Sequence, residues 1–379
     1  MKIVIAPDSF KGSLTALQVA QAIDAGVKRV VPDATTVLKP MADGGEGTVQ
    51  ALIDATGGTI ITTEVKDPLG RPVTARWGIL SDKTTAVIEM AAASGLPLVP
   101  PERRNPLVTT TYGTGELIRA ALDNGCRKLI IGIGGSATNE GGAGMAQALG
   151  ARFLDDKGNN LPFGGAALAN LDHIDITGLD SRLAGFDVLI ASDVNNPLCG
   201  PKGASAVYGP QKGATPEKVA QLDAALSHYA DVIKKDLNVD VRDVPGAGAA
   251  GGLGMGLIVF LKAKMSPGIE VVVQATGLVA EMKGADLIFT AEGRIDFQSA
   301  MGKVLQGVAQ KAGAFDIPVI ALAGEVADDC QAVYQQGIDA CFSIAPGPIT
   351  LEQSLAKAEK LTANIAENTM RLFMRSRKK

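Results

Sequence analysis

Histidine is almost missing from this chain: His173 and His228 are the whole supply in 379 residues. Histidine-based metal clusters are thereby excluded, and Ser-His-Asp chemistry lacks its usual base. No G-x-S-x-G occurs either. Cysteine is scarce, with four residues at 126, 199, 330 and 341 and no C-x-x-C. That usage suits a reducing compartment and gives no zinc-site spacing. Aromatic residues make up 4% of the chain, with a single tryptophan, Trp77, a poor endowment for stacking on single-stranded nucleic acid. The net charge of −4 argues against a broad polyanion-binding surface, so no nucleic-acid partner is expected. The basic run 375–379 reads as a solvated tail. No apolar run reaches the roughly 18 residues of a membrane span, so no membrane partner is expected. The apolar run after Met1 is too short for a signal peptide, which leaves the cytoplasm as the expected compartment.

Glycine, by contrast, is abundant, at 45 of 379 residues. It clusters in loops that follow apolar runs, the places where a tight turn presents several N–H groups to one point. Hydrophobic residues make up 46% and charged residues 20%, the balance of a globular protein with an ample core. The length allows about two or three domains.

The organising stretch is 127–150, RKLIIGIGGSATNEGGAGMAQALG. An apolar run ends in glycines and an amphipathic segment follows, the grammar of strand, glycine loop and helix. Such a loop offers an anion, most often phosphate, free backbone N–H groups and the positive end of a helix. Gly134, Gly135, Ser136, Thr138 and Asn139 are its candidate phosphate-binding residues.

Read from the start, Lys2 to Ala6 is a buried parallel strand that ends in a loop carrying Asp8, Ser9, Phe10 and Lys11. Thr15-x-x-Gln18 is a capping box for the helix that follows. Thr35–Leu38 is a second strand, ending in Asp43-Gly-Gly-Glu46-Gly47; Thr48–Thr56 is a helix. Carboxylates at the carboxyl end of a strand stand where open α/β sheets bind ligands. Asp43 and Glu46 are candidates to hold Mg²⁺ through water. From 59 to 90 the pattern alternates, broken by Asp67-Pro-Leu-Gly-Arg71-Pro, and reads as an antiparallel hairpin or meander. Phe186–Ala191 is a strand running into Asp193. The cluster 246–256, GAGAAGGLGMG, precedes an apolar helix and suits either close packing or a phosphate-facing helix start. Asp286–Thr290 is a strand that hands over to a loop with Glu292, Arg294 and Asp296. Ile317–Ala321 and Ala340–Ile344 are strands. The two ends share one grammar and the middle another. The expected architecture is therefore α/β with two domains. The first is a doubly wound, Rossmann-like domain, discontinuous in sequence (1–60 and 281–379), and 61–280 is inserted as the second.

Several polar loops should converge, offering carboxylates, lysines, an arginine and glycine donors, but no histidine and no credible cysteine nucleophile. That inventory suits phosphoryl transfer, which needs charge cancellation and alignment more than covalent chemistry. No G-x-x-x-x-G-K-[ST] occurs, and the protein-kinase signature set is absent.

These residues resemble the bacterial glycerate kinases that phosphorylate the 2-hydroxyl. The resemblance is carried by IAPDSFKGSLTA near the start, PMADGGEGT at 40–48 and GIGGSATNEGGAGMAQALG at 132–150, then SDVNNPLCGPKGA at 192–204 and TAEGRIDFQSAMGK at 290–303. It spans nearly the whole chain and implies two α/β domains, ATP, Mg²⁺ and D-glycerate, with 2-phosphoglycerate and ADP as products. Asp193 is the first choice for the carboxylate that accepts the hydroxyl proton, with Asp8 and Asp296 as competitors. Lys11, Arg71 and Arg294, with Ser9 and Phe10, are candidates for holding glycerate or the transferring phosphate. The rival reading is an NAD(P)-dependent oxidoreductase acting on a small hydroxy acid, because Gly132-x-Gly134-x-x-Ala137 follows a strand and has Asp155 and Asp156 roughly 20 residues on. The oligomeric state is open.

Overall fold

A computed structural model describes residues 1–301 and 303–377. Gly302 of the 290–303 motif, and Lys378 and Lys379 of the basic tail, lie outside the described residues. The strands, in chain order, are β1 (Lys2–Ile5), β2 (Thr35–Leu38), β3 (Thr59–Lys66), β4 (Pro72–Ile79), β5 (Thr85–Glu89), β6 (Lys128–Gly132), β7 (Arg152–Leu154), β8 (His173–Asp175), β9 (Asp187–Ala191), β10 (Lys264–Ser266), β11 (Leu287–Ile295), β12 (Val319–Val326) and β13 (Ala340–Ser343). The chain forms two compact units, one of residues 1–43, 50–57 and 267–379, the other of 44–49 and 58–266.

The first unit is built on a parallel sheet in the order β13-β12-β11-β1-β2. Ile3, Val4 and Ile5 of β1 are fully buried, as a central strand covered on both faces requires. The chain leaves β1 for the helix Ala16–Lys28, which starts at the expected capping box: Gln18 N–H donates to Thr15 Oγ1 at 3.2 Å and Thr15 N–H to Gln18 Oε1 at 2.9 Å. Against this helix packs another, Leu351–Ser376, which also opens on a capping box, formed by Thr350 and Gln353. The sequence reading stopped short of this second helix. The two backbones meet at Gly26, where a Cβ would overlap the Ala363 carbonyl oxygen and lie 2.8 Å from Ala366 Cβ.

β11 is longer than expected. The strand expected from sequence ends at Thr290, whereas β11 continues through Ile295, pairing Glu292 with Ala323 and Arg294 with Glu325 of β12. Its pairing with β1 ends earlier, at Phe289 opposite Ile5. Polar residues 292 and 294 therefore sit on regular strand that overhangs the end of β1, where backbone pairing with β12 outweighs loop-like composition.

The second unit holds a six-stranded sheet, β10-β9-β6-β5-β4-β3. β5, β6, β9 and β10 are parallel, while β3, β4 and β5 make the antiparallel meander read from 59–90. β7 and β8 form a separate antiparallel pair. The glycine cluster near 250 is a packing device. Ala250, Gly251 and Gly252 take left-handed backbone conformations, and a Cβ at Gly251 would overlap the Thr138 carbonyl oxygen.

The units divide differently from the expected 60/61 and 280/281. Residues 267–280 cluster with the first unit because the helix Gly268–Thr276 lies against Val304–Gly313, with Ile269 filling the space over Gly307. Residues 44–49 cluster with the second because Gly44 abuts Gly132 and the Val49 N–H donates to Glu89 Oε1 at 2.8 Å.

Replacing Gly26 by valine forces two helix backbones apart. We expect a loss of at least about 2 kcal/mol in unfolding free energy, measured by urea denaturation.

Candidate active site

In the first unit the strand order reverses between β1 and β11, the place where open α/β sheets present a ligand crevice at their carboxyl edge. A cavity of about 470 Å³ lies there, within the usual range for small-molecule pockets. Asp8, Ser9, Phe10 and Lys11 reach it from the loop after β1, and Glu292, Arg294 and Asp296 from the overhang of β11 and the turn beyond it. Lys303 and the first turns of the helix at 351 complete it, with Leu351, Leu355 and Ile344 as an apolar wall. The loop is fixed by main-chain bonds to β11: Ala6 N–H to the Phe289 oxygen and Asp8 N–H to the Ala291 oxygen, both 2.8 Å.

Asp8 is 7% exposed. Burial is the largest influence on its carboxyl and pushes its pKa up to about 7; the Ser9 N–H, 2.6 Å from Oδ1, pulls it down. The neighbouring carboxylates of Asp43 and Glu292 raise it further and Lys11 lowers it. Glu292 is also raised, first by burial, and the Lys303 ammonium 3.4 Å from Oε1 opposes this. A carboxyl that changes charge near neutral pH, next to lysines in a pocket, is suited to taking a proton from a hydroxyl.

The other residues expected at the site stand as follows in the fold. Asp296 caps the short turn Phe297–Ala300, accepting the Gln298 N–H at 2.9 Å. Arg294 lines the pocket and stands 3.7 Å from both Asp296 and Glu325. The Phe10 ring is 4% exposed and belongs to the hydrophobic core, so it contributes a wall and no polar group. Asp43 is grouped with Asp8 and Glu292, whereas Glu46 faces Glu89 in the second unit. Among the described residues no group of three or more His, Cys, Asp or Glu side chains is arranged to hold a metal ion.

The glycine turn after β6 belongs to the second unit. Gly134 and Gly135 are exposed, but Ser136, Thr138 and Asn139 are buried. These three were expected to donate to phosphate; instead they face inward. Ser136 Oγ and the Thr138 carbonyl oxygen accept hydrogen bonds from Lys212 Nζ at 2.7 and 2.6 Å, and Asn139 Nδ2 donates to Ser205 Oγ at 2.8 Å. The physical reason lies in the residues that follow. Glu140 is fully buried, accepting from Thr111 N–H at 2.6 Å, Thr111 Oγ1 at 2.7 Å and the Gly164 N–H at 3.1 Å, and this pulls the end of the turn into the interior. Neither Lys212 nor Glu140 was singled out from sequence; a lysine within Gly-Pro-Gln-Lys-Gly and a glutamate among glycines both look solvated.

Arg71 is committed locally. Its Nε and guanidinium NH₂ donate to Asp67 Oδ2 at 2.8 and 2.7 Å, while the Leu69 and Arg71 N–H groups bond Asp67 Oδ1, so the pair staples the β3–β4 turn. Asp193 is exposed on the loop after β9. That loop is braced by Tyr208 OH on Asn196 Oδ1 at 2.8 Å and by Asn196 Nδ2 on the Lys202 oxygen at 2.7 Å. The dinucleotide reading loses its context here. The helix after the turn has six residues, Ala143–Ala148, and leads to β7, which pairs antiparallel with β8 outside the main sheet. Asp155 lies in an exposed turn, bonded to Lys157 and Asn159 N–H groups. A parallel βαβ unit ending in a ribose-binding acid is not formed.

The class defined by these features is a kinase that acts on a small hydroxylated substrate: a parallel α/β sheet, a switch-point pocket with a buried carboxyl, and a glycine turn. The chain belongs to the glycerate kinase family, whose model matches residues 3–374. It is 56% identical over 368 residues to a glycerate kinase of Bacillus subtilis strain 168, covering 97% of this chain and 96% of that one. It is also 56% identical over 358 residues to a glycerate 2-kinase of Escherichia coli K12, covering 94% of each. A crystal structure of a provisionally named glycerate kinase 2 from Salmonella typhimurium LT2 superposes with a TM-score of 0.94 at 51% identity, covering all of both chains.

The buried carboxyl has a consequence for stability. A carboxyl whose pKa is higher folded than unfolded keeps its proton in the native state while the unfolded chain has lost it, so stability falls as pH rises from about 4 to about 7. We expect the difference in unfolding free energy between wild type and Asp8→Asn to decline over that window, by up to about 1.4 kcal/mol per pH unit. Chemical denaturation at a series of pH values measures it; a flat difference would show an ordinary carboxyl at position 8.

Proposed function

We propose that this chain transfers the γ-phosphoryl group of ATP to the 2-hydroxyl of D-glycerate, giving 2-phosphoglycerate and ADP. The observation that carries the mechanism is the buried Asp8 at the switch-point pocket, with a pKa pushed up to about 7. Asp8 takes the hydroxyl proton as the oxygen bonds to the γ-phosphorus, and the bond from that phosphorus to the β–γ bridging oxygen breaks, releasing ADP. Lys11 and Arg294 hold the glycerate carboxylate, with Ser9 beside them. The exposed Gly134–Gly135 backbone grips nucleotide phosphate. We assign the base to Asp8 in preference to Asp193, because Asp8 is buried in a pocket with cations and Asp193 is exposed. Asp43, beside Asp8 and Glu292, supplies the hard carboxylate oxygen that Mg²⁺ takes, and is the residue that would hold the ion or its waters. Held there, Mg²⁺ would supply positive charge to offset the negative charge of the phosphates. We take the two compact units as the two domains of the enzyme. We place it in the cytoplasm, in keeping with its cysteine usage and with the absence, among the described residues, of a helix long and apolar enough to cross a membrane.

The test incubates the protein with ATP, Mg²⁺ and D-glycerate, follows ADP release and NAD(P) reduction in parallel, and assigns the product by ³¹P NMR. ADP release with 2-phosphoglycerate is expected; 3-phosphoglycerate would overturn the regiochemistry. Asp8→Asn should lower kcat by about 10²-fold or more while leaving ADP affinity within about twofold. In the wild type kcat/KM should rise with pH through an ionisation near the value of about 7 given by burial. If Asp193→Asn abolishes turnover and Asp8→Asn spares it, the base is Asp193.

A further inference from the structure

Lys212 is 1% exposed and lies beneath the glycine turn of the second unit. Its ammonium donates to Ser136 Oγ at 2.7 Å and to the Thr138 carbonyl oxygen at 2.6 Å. Among the described residues no carboxylate lies within ion-pair distance of it. Burying an ammonium without a counter-ion is costly, and a leucine or methionine would fill the same space with no such cost. The cost is visible in the amine, whose pKa burial pulls down to about 7.

The rest of the turn is held by two main-chain bonds and by the Thr109 hydroxyl, which donates to the Ala137 oxygen at 2.8 Å. Leu96 N–H donates to the Gly135 oxygen at 2.8 Å, and Ala137 N–H to the Ser94 oxygen at 3.0 Å. Gly213, next to Lys212, has a φ of 91°, and a Cβ there would overlap the Arg104 carbonyl oxygen, so the segment bearing the lysine is itself seated against the unit. Residues 135–138 are therefore fixed by the 94–96 segment, by Thr109 at Ala137 and by Lys212 at Ser136 and Thr138, while Gly134 and Gly135 are exposed. We infer that Lys212 is a positioning residue for the nucleotide: it fixes Ser136 and the Thr138 carbonyl from below, and so holds the Gly134–Gly135 backbone in the shape that receives a phosphate. This rests on the reading that the turn binds nucleotide phosphate.

The experiment measures ADP affinity by calorimetry, and KM for ATP and for glycerate, in the full-length protein and in three variants. Lys212→Met keeps the volume and removes the donors. It should weaken ADP at least tenfold and raise KM for ATP comparably, with KM for glycerate within twofold and kcat reduced less than KM for ATP rises. A general loss of fold would instead lower the active fraction and leave both KM values in place. Ser136→Ala removes one anchor and should weaken ADP about threefold, which keeps the inference testable if Lys212→Met does not fold. Gly134→Asp places a negative charge on the exposed turn and tests the underlying reading. If it leaves ADP affinity unchanged, phosphate binds elsewhere and the inference falls with that reading. If Gly134→Asp weakens ADP while Ser136→Ala and folded Lys212→Met do not, the role of Lys212 alone is overturned.

Discussion

The pairing of β1 with β11 is the constraint from which the first unit follows. It joins the first strand of the chain to one that begins at Leu287, so the loop-closure entropy of most of the sequence is met by a few buried backbone bonds and the apolar faces around them. Because β11 runs on past the end of β1, its overhang carries polar side chains above the buried sheet edge. The loop after β1 then lies along that overhang, and Asp8 is drawn under cover by the same bonds that set the register. The site is a product of unequal strand lengths at the point where the sheet reverses order.

Charge is handled differently in the two units. The pocket of the first unit sets the carboxyls of Asp8 and Glu292 beside Lys11 and Lys303, and Asp43 is near enough to raise the pKa of both carboxyls. Burial first, and the neighbouring carboxylates after it, push the Asp8 pKa up to about 7, a value suited to taking and releasing a proton near neutral pH. The interior of the second unit holds titratable groups fixed by hydrogen bonds: Glu140 accepts backbone and hydroxyl donors, and Lys212 donates to a hydroxyl and a carbonyl. Such groups fix backbone position, because any other arrangement leaves a buried charge unsatisfied.

The abundance of glycine has a mechanical meaning in this second unit. The Gly141 N–H donates to the Gly251 oxygen at 2.9 Å, and a Cβ at Gly256 would lie 2.7 Å from the Gly141 oxygen. Two glycine clusters more than a hundred residues apart thus allow backbone to touch backbone. Much of the glycine signal read as ligand-binding is this contact, leaving Gly134 and Gly135 as the exposed remainder.

The sequence by itself determined the α/β class, most strands, the capped helix at 16–28 and the meander at 59–90, because these follow from local periodicity, capping chemistry and turn residues. Its short motifs also carried the family. Helical spacing at Ala358, Thr362, Ala366 and Met370 was present too, in a helix the reading did not reach. Tertiary structure alone decided which polar residues line the pocket and which are buried or paired. Ser136, Thr138 and Asn139 look like surface donors and are buried; Arg71 looks available and is paired with Asp67; Asp8, a candidate base from sequence, has its pKa raised by a burial that the sequence does not show. Local sequence fixes backbone preference, but burial and charge depend on partners brought from far along the chain. That is why Lys212, Glu140 and the overhang of β11 emerged only in three dimensions.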